Sequence, residues 1–415
     1  MKTNYFLSLL LTLSTSLTFA QWAVNSSPVA GYYYVDDIHF IDNNIGFMGG
    51  ITALIGGNGK ISKTTNGGSS WTDVFSVAGK TVNDFYFVNS NLGFAVGAGG
   101  LIAKTTDGGN NWTSQTFINP NTSTPEAFMS VYFVDQNIGY IAGGYYEMMV
   151  LKTTDGGANW TPLTMPSYFQ RLKSVFFTDA NTGYVAGGDD TGGGIGKVYK
   201  TVDGGATWDS LVTGIYNNYF NTIVFTDANN GVIGCDVNGL LIKTSDAGQN
   251  WTQVTNPAGT SSVQELSFVN ANLGYACILT GKIIKTTDGG SNWTLDANVN
   301  PNMSALYSIS VPTTSYGASA GLFGYYAELT GSTGIDMMVG NNDELSVYPN
   351  PTTNVLNINV MDEIEKIIIY DITGKVQHVK LISTDKIDVS NLTEGIYTMQ
   401  IVLKDKLLHT RFIKN

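Results

Sequence analysis

The chain has 415 residues, 33 acidic against 21 basic, and a formal charge of −12, which repels a phosphate backbone and sets nucleic acid aside as a partner. Only 13% of its residues are charged, while Gly (48), Tyr (22) and Phe (19) are abundant, as expected of an all-β protein rather than a helical one. Two cysteines are too few for a disulfide framework.

In chain order, residues 1–20 read as a signal peptide. Lys2 supplies a basic start, Phe6 to Leu17 is apolar, and Thr18-Phe19-Ala20 suits cleavage after Ala20. No other stretch approaches the length of a membrane-spanning helix, so no transmembrane segment is expected.

A ten-residue motif then recurs six times: KTTNGGSSWT (Lys63–Thr72), KTTDGGNNWT (Lys104–Thr113), KTTDGGANWT (Lys152–Thr161), KTVDGGATWD (Lys200–Asp209), KTSDAGQNWT (Lys243–Thr252) and KTTDGGSNWT (Lys285–Thr294). A second motif, an aromatic, a polar turn, then Gly and an apolar run, precedes each copy. It begins at Phe40, Phe87, Phe133, Phe177, Phe225 and Phe268, with a degraded seventh copy, VPTTSYGASAG, at Val311. The motif tryptophans lie 41, 48, 48, 43 and 42 residues apart, a period that holds four short strands and matches a β-propeller blade. In the second unit the expected strands are Val82–Val88, Gly93–Val96, Leu101–Thr105 and Trp112–Phe117. The seventh repeat ends near Thr330 without its tryptophan. Gln21-Trp22-Ala23-Val24, 49 residues before Trp71, can supply the missing outer strand. The expected fold is a seven-bladed β-propeller over 21–330, its N-terminal strand closing the last blade so that no radial edge stays open.

Cys235 and Cys277 fall in the same strand of neighbouring repeats. Packed sheets lie roughly 10 Å apart and a disulfide needs Cα atoms within about 7 Å, so two buried thiols are favoured over a bridge.

The Thr-x-Asp-Gly-Gly-x-x-Trp copies resemble the Asp box, or bacterial neuraminidase repeat. With the aromatic-turn-Gly motif they resemble the photosystem II assembly-factor-like family of propellers. The resemblance places each box at the turn between the third and fourth strands. Its structural residues are Asn66, Trp71, Asp107, Trp112, Asp155, Trp160, Asp203, Trp208, Asp246, Trp251, Asp288 and Trp293. Asp-Gly suits a tight turn needing positive φ. Asn66 for Asp and Ala247 for Gly are expected to weaken their turns locally.

Residues 331–342 (GSTGIDMMVGNN) read as a linker, and 343–415 as a small β-sandwich of alternating strands. Val347-Tyr348-Pro349-Asn350-Pro351, Tyr370-Asp371-x-x-Gly374-Lys375-Val376 and Leu392-x-x-Gly395-Ile396-Tyr397 resemble the C-terminal sorting domain of the type IX secretion system. That resemblance implies a Bacteroidota-type bacterium, the secretion machinery as partner, and release or attachment at the outer-membrane surface.

Asp-box propellers include sialidases, whose carboxylate clamp needs three arginines. The repeat region has one, Arg171; the other, Arg411, is in the tail. The xyloglucanases of this type place their acids between two propellers, and this chain has room for one. A Ser-His-Asp set needs a histidine, and the repeats hold only His39, whose equivalents are Tyr86, Tyr132, Phe176, Val224, Ser267 and Ser310, a packing or channel-lining position. No His/Cys cluster has metal spacing, and no cofactor is expected. The six box lysines read as solvated strand-end charges.

The repeats diverge in the second-to-third-strand loops and the loops between units, which share the face opposite the boxes. Exposed aromatics beside polar residues there suit glycan or protein binding. The candidates are Tyr145, Tyr146, Glu147, Tyr168, Arg171, Asp189, Asp190, Tyr216 and Tyr219. The expected function is non-catalytic binding of an extracellular glycan or protein. The alternative is a glycan-active hydrolase or lyase using loop carboxylates such as Glu147, Asp189 or Asp190.

Overall fold

A computed structural model of the chain describes residues 21–24, 29–144, 147–166, 171–188, 196–299, 305–330, 347–348, 352–358, 364–371, 375–377, 379–383, 386–403 and 407–415. The expected leader and linker lie outside the described residues. The chain divides into two compact units, 1–332 and 333–415.

The first unit holds seven four-stranded antiparallel sheets in a propeller-like arrangement. We letter the strands A to D in sheet order. The A strands are Tyr34–Phe40, Asp84–Phe87, Phe128–Phe133, Arg171–Phe177, Phe220–Phe225, Val263–Phe268 and Leu306–Thr313. Each contacts the A strands of both neighbouring sheets, the first with the seventh included, so the sheets close a ring. The second sheet comprises Asp84–Phe87, Gly93–Gly97, Leu101–Thr105 and Thr113–Thr116. The four expected strands are therefore present, but strand A is confined to Asp84–Phe87 instead of Val82–Val88, and strand D to Thr113–Thr116, with Trp112 in the turn.

The two motifs are two turns and the packing between them. In the A–B turn, Asn89 Oδ1 accepts hydrogen bonds from the backbone N–H of Asn91 and Leu92, both at 2.9 Å. Asp42, Asp135, Asp179, Asp227 and Asn270 do the same in their sheets. The glycine that follows is a packing requirement. A Cβ on Gly93 would clash with the ring of Phe87. In the C–D turn, Asp107 accepts from Thr105 Oγ1 and Asn111 N–H, each at 2.9 Å, while Gly108 and Gly109 sit at φ of 70° and 76°. Asn66 corrects one expectation: its Oδ1 accepts the same two bonds, from Thr64 Oγ1 and Ser70 N–H at 2.9 Å, so the amide keeps the turn. Ala247, at φ 58°, does carry the strain of a left-handed conformation.

Between sheets, each motif aromatic of strand A meets its own box tryptophan edge-on, with centroids 5.9–6.3 Å apart. Four of the six, Phe87, Phe133, Phe177 and Phe225, also stack on the strand-B aromatic of the preceding sheet, as in Phe94–Phe133 (3.9 Å) and Tyr140–Phe177 (3.8 Å). The box lysines are not merely solvated charges. Lys63, Lys104, Lys152 and Lys200 lie over those strand-B rings. Their Nζ groups donate to box carbonyls of the next sheet, at Gly108, Gly156, Gly204 and Ala247. The lysines therefore tie neighbouring sheets together.

The ring closes as expected. Gln21–Val24 pairs with Tyr326–Thr330 as the outer strand of the seventh sheet, with Trp22 opposite Leu329. Trp22 meets Tyr275 of the sixth sheet edge-on at 6.0 Å, and its Nε1 donates to Asp296 at 3.0 Å. Cys235 and Cys277 are both buried and unbridged.

The second unit has two four-stranded sheets enclosing one apolar cluster, which includes Leu356, Ile369, Ile387, Met399, Ile401 and Phe412.

Candidate functional site

Six of the seven A strands carry a β-bulge near their start. A bulge sets two residues against one and breaks the alternation of side chains, so two consecutive residues turn towards the axis of the ring. Together the seven strands line one cavity of about 320 Å³ with Asp36, Asn83, Met129, Lys173, Asn221, Gln264 and Tyr307 in one tier, and Asp37, Asp84, Ser130, Ser174, Thr222 and Glu265 in the next. Ser308 is the seventh member of that second tier by register.

The second tier is a chain of clasps. Six of its seven members accept a hydrogen bond from a backbone N–H of the next A strand: Asp37 from Phe85 (2.9 Å), Asp84 from Val131 (2.6 Å), Ser130 from Val175 (3.3 Å) and Ser174 from Ile223 (3.2 Å). Glu265 accepts from Ile309 (2.8 Å), and Ser308 from Ile38 (3.0 Å). Ser308 Oγ also donates to Asp37 at 2.6 Å. One tier deeper, His39 stacks near Phe87, and Tyr86, Tyr132 and Phe176 follow ring to ring. Burial lowers the His39 pKa. It is a packing residue, as its varied equivalents imply.

The cavity is electrostatically unusual. Burial pushes the Glu265 carboxyl up to about 8, with the Asp37 charge adding to the effect. Asp84 and Asp37 are raised for the same first reason, desolvation. Asp36 is pushed up to about 7 by burial, against the opposing pull of the Lys173 ammonium. In the first tier, Asn83 Nδ2 donates to Phe128 O (2.7 Å) and Asn221 Nδ2 to Val263 O (3.0 Å). Asp36 has no hydrogen-bond partner among the described residues. Tyr307, at the rim, continues into an edge-to-face row of rings: Tyr34 at 5.6 Å, then Tyr33 at 4.7 Å, then Phe323 at 5.5 Å. No group of three or more His, Cys, Asp or Glu suited to a metal occurs among the described residues.

Of the nine candidate binding residues, Tyr145, Tyr146, Tyr168, Asp189 and Asp190 lie outside the described residues. Glu147 and Arg171 are half-buried and Tyr216 is 76% exposed. Tyr219 is half-buried, and its carbonyl accepts from Asp236 N–H at 3.0 Å. None of these four lines the cavity, although Arg171 and Tyr219 each stand two residues before a lining residue, Lys173 and Asn221. Sequence reasoning passed over the lining residues because they sit inside apolar strands. A signal was present. Aligned on the motif aromatic, the column four residues earlier reads Asp, Asn, Met, Lys, Asn, Gln, Tyr, while the columns flanking the doublet stay apolar.

Comparison with known proteins agrees with this architecture. Among solved structures, a YCF48 bound to D1 peptide matches with a TM-score of 0.59 and 19% identity, over 76% of this chain and 98% of that one. PorZ, an essential bacterial surface component of the type-IX secretion system of Porphyromonas gingivalis, matches with a TM-score of 0.56 and 12% identity, over 94% and 60%. A GH74 xyloglucanase from Xanthomonas campestris matches with a TM-score of 0.57 and 10% identity, over 95% and 68%. At these identities the likeness is one of fold. Among curated proteins, beta-agarase D of Zobellia galactanivorans is 44% identical over 59 residues, a stretch that spans 14% of this chain and only 12% of the agarase.

A secretion system C-terminal sorting domain matches residues 346–415, which marks the protein for export to the cell surface or the extracellular space. No helix among the described residues is long and apolar enough to cross a membrane. The photosynthesis system II assembly factor YCF48 model matches residues 70–170 and 168–294, more than half of the chain, and the protein belongs to that family.

Proposed function

We propose that this is an exported, non-catalytic binding protein whose ligand, a glycan or a protein, seats at the mouth of the central cavity. One observation carries the reading: seven repeats deliver seven side chains of six types to one cavity while the positions flanking the inward doublet stay apolar. Packing alone does not call for polar and charged side chains of several types on a cavity wall. The cavity lies near the lower end of the ~300–1,000 Å³ range of small-ligand sites. Three of the four raised carboxylates of the cavity, Asp37, Asp84 and Glu265, are engaged as clasps between sheets, which accounts for them without catalysis. The divergent loops, with Tyr145, Tyr146, Glu147, Tyr168, Arg171, Asp189, Asp190, Tyr216 and Tyr219, would form the outer rim. The peptide bound to the similar YCF48 and the surface role of PorZ are compatible with a binding role for this fold.

In this reading residues 1–20 are removed on export, 331–342 link the two domains, and 343–415 serve the secretion machinery. The test is a glycan and peptide array with the full-length chain, followed by product analysis on every binder. Binding without product is the expected result. Product release would overturn the non-catalytic reading and direct attention to Glu147, Asp189 and Asp190.

A further inference from the structure

We infer that the cavity mouth takes the ammonium or guanidinium group of a lysine or arginine side chain on a polypeptide partner. The inference rests on the reading of the mouth as a binding site. Four carboxylates, Asp36, Asp37, Asp84 and Glu265, face the cavity with one lysine, Lys173. Three of the four are held by backbone N–H groups of the next strand. Asp36 is not, and it is the one at the rim. Beside it, Tyr307, Tyr34, Tyr33 and Phe323 form a continuous row, and the last ring is 50% exposed on a residue held at φ 58°. Strain of that kind persists only where surrounding structure enforces it, and it is commonest at functional sites.

The ring geometry selects the ligand. The rings meet at 76–89° to one another, so they make walls and not the coplanar platform that a sugar face would stack on. Aromatic faces and a carboxylate together attract a cation. The cavity, about 320 Å³, admits a side chain and not a folded segment. An entering cation would also compensate carboxylates that burial now holds towards their neutral form.

The experiment uses the full-length chain and alanine-based nonapeptides carrying a single arginine, lysine, citrulline or glutamate, with a neutral oligosaccharide set alongside, all measured by calorimetry. The arginine and lysine peptides should bind at least tenfold tighter than the citrulline and glutamate peptides. Asp36→Asn should remove that preference without lowering the melting temperature, since the Asp36 side chain makes no hydrogen bond among the described residues and its buried charge opposes folding. Lys173→Gln should strengthen binding of the basic peptides severalfold by removing the competing cation, which keeps the inference testable if Asp36→Asn fails to fold. Equal binding of the citrulline peptide, or weaker binding by Lys173→Gln, would overturn the inference. Binding confined to the oligosaccharides and lost in Asp36→Asn would overturn it while sparing the mouth as a site. Silence of every probe would count against both.

Discussion

Glu265 shows how one side chain can close a ring and set a pH dependence. Its carboxylate clasps the next A strand through Ile309 N–H while burial raises its pKa to about 8. The unfolded carboxyl titrates near 4.3. A raised folded-state pKa means that the native protein holds the proton more tightly, so this contribution is complete below about pH 4 and is lost as pH rises through about 8. Asp36, Asp37 and Asp84 act in the same sense. The melting temperature should therefore fall between pH 5 and 9. Glu265→Gln, which keeps an acceptor for Ile309, should flatten that fall; an unchanged slope would show that other groups set it. The exposed box carboxylates act oppositely. Asp107, Asp155 and Asp203 are held down to about 2, first by hydrogen bonds from the Asn111, Asn159 and Thr207 positions, so their contribution disappears only in strong acid. Ala247→Gly should relieve a left-handed alanine and stabilise the protein by about 0.5–1 kcal/mol in denaturant unfolding.

At the scale of elements, the strand Gln21–Val24 is what closes the seventh sheet. Among the described residues it is the only strand of the first unit not contiguous with its sheet in sequence, and it pairs by backbone with Tyr326–Thr330 at the far end of the repeats. Trp22, 6% exposed, anchors it against the sixth sheet. Trp22→Ala should cost about 3–5 kcal/mol, the usual range for emptying a buried indole site, and should leave Asp296 without its donor. Hydrogen exchange should then rise first in the seventh sheet. Uniform loosening of all sheets would mean that the closure is not the weak point. The box lysines act at the same scale, since five of the six, Lys63, Lys104, Lys152, Lys200 and Lys243, join one sheet to the box turn of the next.

For the whole molecule, the proposed cleavage after Ala20 would couple export to closure. Removal of residues 1–20 would leave Gln21 as the first residue of the closing strand, with no extension to obstruct its pairing with Thr330. Intact-mass analysis of the secreted protein should give a species beginning at Gln21. Deletion of residues 346–415, matched by the sorting domain, should retain the protein inside the outer membrane. Secretion of the truncated chain would show that the tail is dispensable for export.

Much of the architecture was determined by the sequence alone. The repeat period set four-strand units, each motif encoded its own turn through local Asp or Asn side-chain bonds, and Gln21–Val24 was identifiable as the missing strand because one motif ran to seven copies and the other to six. These are short-range interactions, and local residues suffice to specify them. The cavity was decided only by tertiary structure. Asp36 and Tyr307 are 271 residues apart, and the bulges that turn Asp36-Asp37 and their counterparts inward break the alternation on which strand reading depends. The lysines were misread for the same reason. Their partners belong to the next repeat, and only the closing of the ring brings a charge at one strand end onto the carbonyl of another.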